Sequence, residues 1–212
     1  MLVHGAIIPP SPVCEALADV LRSVPEEAEV ASVTQHKGRL GRLGRRRDES
    51  PDVAAAPMLD RVAPARMQLP LTGFGNLTTN DARRLAETLQ EAGAAWSTPR
   101  VWFSGGTALD FPGDWSVWAK LDGDVDALAA LARGVNQSVE RLGYFVDRRQ
   151  FRPMMSVATV TPATTGPFLE GVVGALDAFR GEEWTVEISL TKESFAEGGA
   201  EMVEFERIQV TG

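Results

Sequence analysis

Two imidazoles and one thiol, His4, His36 and Cys14, are the side chains of this sequence best suited to proton exchange or nucleophilic attack near neutral pH. With one Cys and two His, no zinc site of the usual four-ligand kind can be built within the chain. His4 lies in the apolar start Met-Leu-Val-His-Gly-Ala-Ile-Ile. A neutral imidazole there, of pKa about 6.5, can act as a base; filling a core or stacking position is its other role. His36 precedes Lys37 in a polar stretch and reads as an exposed loop residue. From Lys37 to Arg47, six of eleven residues are basic (Lys37, Arg39, Arg42, Arg45, Arg46, Arg47), a density that can neutralise RNA phosphates or an acidic partner. No aromatic residue is interleaved, so nothing there supports base stacking. A solvated loop, or one docking on the acidic C-terminal part of the same chain, is the plainer reading. The glycines of that stretch (Gly38, Gly41, Gly44) and Gly105-Gly106 do not match a phosphate-cradling loop between strand and helix.

These groups need elements to hold them. A chain of 212 residues, 44% hydrophobic and 24% charged, can bury a core without disulfide or metal, which excludes disorder as the main state. The formal charge of -8 argues against a nucleic-acid binder that uses its whole surface. That charge is uneven: from Glu170 to Gly212 ten acids face three bases. The N-terminus lacks a cationic start and Pro9-Pro10 follow at once, so no signal peptide is expected. No apolar run reaches about eighteen residues, so no membrane span is expected either. The single Cys agrees with a cytoplasmic protein.

Leu2–Ile8 reads as a buried strand. Ser11 as N-cap and Pro12 then open a helix to about Ser23, with Val13, Leu17, Val20 and Leu21 inward. Residues 26–57 lack periodicity and read as a loop or insertion, with one short strand around Val30–Thr34. Met67–Gly73 is a second strand, and Thr78 with Asp81 starts a helix to about Gly93. Val101–Ser104 and Ser116–Leu121 are strands. Asp124 caps a helix whose apolar face runs from Val125 to Leu142, ended by Gly143. Met154–Val160 is a strand, Phe168–Phe179 a helix, and Trp184–Leu190 and Met202–Val210 close the chain as strands. Strands and helices mix without strict alternation, so the class is α+β.

Three stretches in this order, Met1–Pro10, Val62–Gly75 (Val-Ala-Pro-Ala-Arg-Met-Gln-Leu-Pro-Leu-Thr-Gly-Phe-Gly) and Phe151–Val160 (Phe-Arg-Pro-Met-Met-Ser-Val-Ala-Thr-Val), resemble the 2H phosphoesterases. The branch they are most similar to is the bacterial 2′-5′ RNA ligase / RNA 2′,3′-cyclic phosphodiesterase group. The resemblance spans nearly all of residues 1–212. It implies a single bilobal domain, two antiparallel sheets with flanking helices facing across a cleft, and no metal or cofactor. That family carries two His-x-Thr/Ser motifs, one per lobe; residues i and i+2 of a strand share a face, so each lobe presents an imidazole and a hydroxyl.

By the flanking residues, the first motif falls on Gln68 and Pro70 and the second on Met154 and Ser156. Gln68 can hydrogen-bond a phosphate oxygen but cannot exchange a proton near neutral pH. Pro70 has neither hydroxyl nor N–H, Met154 is an apolar filler, and only Ser156 keeps the family's chemical group. A positioned acid or base supplies roughly 10²–10⁴ in rate, so losing both histidines predicts a pseudoenzyme. The resemblance places His4 where the family has an aromatic, on a strand bordering the cleft. Arg152 precedes the second motif and its planar fork suits a phosphate or carboxylate, with a surface or lobe-bridging ion pair as its other use; Arg66 is a weaker candidate. Ser156 has no obvious base and is taken as a ligand-contacting hydroxyl. Of the five tryptophans most read as core, with Trp102 or Trp118 facing the cleft.

The expected function is therefore binding of a nucleotide, an RNA end or another ligand in the former active-site cleft, through Gln68, Ser156, Arg152 and His4, without catalysis. Two alternatives stand beside it. One is an active RNA 2′,3′-cyclic phosphodiesterase, a hydrolase using a non-standard residue such as His4. The other is a protein-interaction module with a vestigial cleft, engaging RNA or an acidic partner through Lys37–Arg47.

Overall fold

The computed structural model describes residues 1–26, 56–108, 115–146, 150–196 and 199–212. The expected strand at Val30–Thr34, His36, the basic run Lys37–Arg47 and nearly all of the 26–57 insertion lie outside the described residues.

The apolar start forms β1 (Leu2–Ile7), and Pro9-Pro10 end it. The first helix, α1 (Ser11–Ser23), takes Pro10 as its N-cap, one residue earlier than expected, with Pro12 in a first turn that needs no N–H. Val13, Cys14, Leu17, Ala18 and Leu21 form its buried face, and Val20 packs at the margin. A short β2 (Leu59–Arg61) and a 3-10 turn (Pro64–Arg66) lead into β3 (Leu69–Asn76). Thr78 caps α2 (Thr79–Gly93): its hydroxyl accepts the Asp81 N–H at 3.2 Å and donates to the Asp81 carboxylate at 2.7 Å. The Tyr144 hydroxyl also donates to that carboxylate, at 3.1 Å, and the two hydroxyls hold the Asp81 pKa below the usual carboxylate range.

β4 (Arg100–Ala108) and β5 (Ser116–Gly123) follow, then α3 (Val125–Glu140). Asp124 precedes α3, but its carboxylate accepts from the Arg100 N–H at 3.1 Å instead of capping the helix. After β6 (Met154–Val160) and α4 (Gly166–Ala178) come β7 (Trp184–Thr185), β8 (Ile188–Ala196) and β9 (Gly199–Ile208). All named pairings are antiparallel, in a four-stranded sheet of order β3-β1-β8-β9 and a five-stranded sheet of order β2-β6-β5-β4-β7. The α+β class is as expected. Helix α4 packs on β4, and α2 lies against α3 and β9, so each sheet turns one face to helices and the other toward its counterpart. No described helix is long and apolar enough to cross a membrane.

One ion pair reinforces the β8–β9 hairpin. Arg207 grips both oxygens of the Glu204 carboxylate at 2.8 and 2.9 Å, and the nearly buried Ser189 hydroxyl donates to it at 3.1 Å. The guanidinium, then the Ser189 hydroxyl, hold the Glu204 pKa below its ordinary 4.5. A carboxylate whose pKa falls on folding stabilises the native state above its unfolded pKa and loses that contribution as pH drops through the folded value. Glu204→Gln is therefore expected to lower the urea midpoint at pH 7, and the difference from wild type should shrink as pH falls below 4.5. A pH-independent difference would show that the pair does not act through this charge.

Candidate functional site

Alternation along β6 sorts its residues. Met155 and Val157 are fully buried, while Met154 and Ser156 are half-buried on the opposite face. On β1, Val3 joins the core and His4 faces the other way, paired with Gly73 of β3 and Thr191 of β8. Gly73 leaves room beside the imidazole, since a Cβ there would stand 3.5 Å from His4 Nδ1. Gln68 enters β3 and Pro70 lies within it. These faces meet around a cavity of about 730 Å³.

His4, Gln68, Pro70, Arg152 and Met154 all line this cavity. Its wall draws on both sheets, with His4 and Pro70 from one and Trp118 and Met154 from the other. The segments that carry the two expected motif positions therefore face each other across a cleft. This is the 2H phosphoesterase fold. Solved structures agree. The chain matches TT0787 of Thermus thermophilus at 17% identity and a TM-score of 0.64, over 100% of this chain and 99% of that one. It matches E. coli LigT complexed with 3′-AMP at 16% identity and a TM-score of 0.62, over 100% and 98%. E. coli LigT complexed with NADP⁺ aligns at 16% identity and a TM-score of 0.60, over the same shares of 100% and 98%. No protein-family model matches the sequence, and neither does any curated protein.

The electrostatics of this 2H phosphoesterase-fold cleft are simple. None of the described lining residues carries a carboxylate, and the ionisable side chains among them are His4 and Arg152. Arg152 is exposed and forms no ion pair with any described residue. The side chains of His4, Gln68 and Gln150 likewise make no hydrogen bond to any described residue, so these three keep their capacity for something in the cleft, whereas Thr72, also on the wall, is already engaged. The rest of the wall is apolar and aromatic, with Met154 and Met202 beside Trp118, Phe145 and Phe151. That combination suits an anion carrying a flat or apolar body.

Other expected residues fall elsewhere. Ser156 shares the face of β6 that carries Met154 and pairs with the lining residue Trp118, although it does not itself line the cavity. Arg66 is exposed on the 3-10 turn, also off the wall. Trp118 lines the cavity, whereas Trp102 lies under the Arg180 guanidinium, 4.3 Å from its ring centre. The Cys14 thiol is buried in α1, and that burial, followed by the neighbouring Glu15, pushes its pKa up to about 11. It is not a nucleophile for this cleft. Among the described residues no group of three or more His, Cys, Asp or Glu is placed to hold a metal.

Sequence reasoning missed Phe145, Gln150, Phe151 and Met202. Phe151 and Gln150 adjoin Arg152 and could have been found by extending the second motif two residues back. Phe145 follows the end of α3 and Met202 sits in the β8–β9 hairpin, and neither position carries a local signal.

Proposed function

We propose that this chain is a non-catalytic binding protein that holds a nucleotide or RNA end in the cleft between its two sheets and does not cleave it. The observation that carries this reading is the single proton-exchanging group on the described cavity wall, His4. Acid–base cleavage of a phosphodiester calls for one group that takes a proton and another that gives one to the leaving oxygen. Gln68 and Met154 stand where the resemblance puts those two imidazoles, and neither can exchange a proton near neutral pH. The E. coli LigT complexes with 3′-AMP and NADP⁺ support a nucleotide as the ligand class.

In this reading residues 1–212 work as one bilobal unit with the ligand at the seam. Arg152 binds the anionic group through its fork, and Gln68 and His4 complete the polar contacts. The rival reading, a phosphodiesterase with His4 as its base, rests on the place of that imidazole on the wall.

Calorimetric titration with adenosine 5′-monophosphate tests the proposal. Arg152→Ala is expected to weaken binding at least about ten-fold, because hydrogen bonds to a charged partner contribute roughly 1.5–3 kcal/mol. The wild-type affinity should also fall with added salt. Unchanged affinity in Arg152→Ala would place the anion elsewhere.

A further inference from the structure

Thr191 is 1% exposed, and its hydroxyl has no hydrogen-bond partner among the described residues. A buried hydroxyl without a partner is destabilising and calls for an explanation. The strand register supplies one. Thr191 of β8 stands opposite His4 of β1, and residues paired in this way put their side chains on one face with Cβ atoms about 4.5–5.5 Å apart. The imidazole also makes no hydrogen bond to any described residue. Two unpartnered polar groups therefore share one rung of the sheet, and one of them is on the cavity wall.

On its other side Thr191 stands opposite Glu204 of β9, but that carboxylate is taken. Arg207 holds both of its oxygens at 2.8 and 2.9 Å, and the Ser189 hydroxyl donates to one of them at 3.1 Å. Of the two residues opposite Thr191, His4 is the one still open. Its ring leans the other way, over Gly73 of β3, with Nδ1 and Cε1 at 3.5 and 3.8 Å from where a Cβ would stand. Since β1 lies between β3 and β8, a half-turn of the ring about Cβ–Cγ moves Nδ1 from the glycine to the Thr191 side. That turn keeps the outline of the ring, so it needs no new space.

We propose that Thr191 is a positioning residue for His4. When an anion occupies the cleft, the Thr191 hydroxyl donates to Nδ1 of the turned ring, and Nε2–H is offered to the anion. In a neutral imidazole one nitrogen donates and the other accepts, so a hydroxyl proton on Nδ1 decides where the ring proton sits. No proton is gained or lost. No carboxylate of the described wall competes for Nε2–H. His4 then works beside Arg152 as a donor, and no ring lone pair remains to abstract a proton. The inference rests on reading the cleft as a nucleotide site that does not cleave, and adds the group that gives its imidazole that role.

Nuclear magnetic resonance of histidine-labelled protein tests this on wild type, Thr191→Val and Thr191→Ser, with adenosine 5′-monophosphate and inorganic phosphate as two separate probes. In wild type either probe should fix His4 as the Nε2–H tautomer and bring its Hδ2, in place of Hε1, against the Gly73 α-protons. Thr191→Val has the same branched shape without the hydroxyl. It should leave Hε1 against Gly73 and weaken adenosine 5′-monophosphate about three- to ten-fold. Thr191→Ser should behave as wild type, which a purely structural role for the threonine methyl would not allow. Wild type that binds either probe with Hε1 still against Gly73 overturns the positioning role. So does a Thr191→Val variant that binds and turns the ring as wild type does. If the nucleotide fails to bind wild type while phosphate turns the ring, the nucleotide reading falls and Thr191 keeps its role. If neither probe turns the ring, the positioning role falls.

Discussion

Gln68→His combined with Met154→His is expected to raise hydrolysis of a nucleoside 2′,3′-cyclic phosphate at least about 100-fold above the unchanged chain. Neither single substitution should do so. Gln68 and Met154 line the same cavity from its two sheets, so the pair would set two imidazoles on opposite walls of the ligand. A single imidazole supplies one half of a proton relay, and groups that act as a unit are strongly non-additive. Pro70 still lacks the hydroxyl of the first motif, which keeps the gain below what a complete site would give. The rate of the double variant should describe a bell against pH, since one imidazole must be neutral and the other charged. Product formation followed by chromatography measures this. A double variant that binds the nucleotide and shows no gain would mean that the two positions are not the motif positions of this fold.

Phe103→Ala is expected to cost about 3–5 kcal/mol of folding stability, a large part of the total of about 5–15 kcal/mol available to a domain. Phe103 is fully buried on β4, its ring centre 6.3 Å from that of Trp184 at an interplanar angle of 36°. Its carbonyl accepts from the Gly181 N–H at 2.9 Å, which fastens the chain after α4 to the same strand. β4 lies between β5 and β7, and β5 in turn carries Trp118 and pairs with β6. Loss of this ring therefore loosens the sheet that positions Met154. Urea unfolding reads the cost, and a loss below about 1 kcal/mol would show that the space collapses around alanine with little residual cavity.

Elements with strong local signals were legible in the sequence. The Thr78–Asp81 start of α2 and the apolar face of α3 are fixed by local chemistry and by the three-and-four spacing of Leu128, Leu131, Ala132, Val135 and Val139. β6 was legible over its full span. β2 was not, because three residues, Leu59–Arg61, are too few to show a period and the strand exists only by pairing with the edge of β6. The stretch Trp184–Leu190 alternates continuously and reads as one strand, yet it breaks between Thr185 and Ile188. Its first piece pairs with β4 in one sheet and its second with β1 in the other. Alternation records which face a residue takes, not which sheet a strand joins.

The cleft shows the same division. His4, Gln68, Arg152 and Met154 were accessible because they sit within short stretches that resemble a known pattern. Phe145 and Met202 reach the cavity only through the path of a turn after α3 and a hairpin, a tertiary fact with no local trace. Ser156 keeps the expected chemical type at the expected i+2 spacing, on the face of β6 that Met154 shares and opposite Trp118 of β5.

The central claim is binding without cleavage, and one measurement addresses it most directly. Wild-type protein is incubated with a nucleoside 2′,3′-cyclic phosphate at saturating protein, and the nucleotide is recovered and chromatographed. The expected result is saturable binding with the cyclic phosphate recovered intact. Ring-opened product forming at a rate that His4→Ala abolishes would contradict the claim and make His4 the base of an active phosphodiesterase.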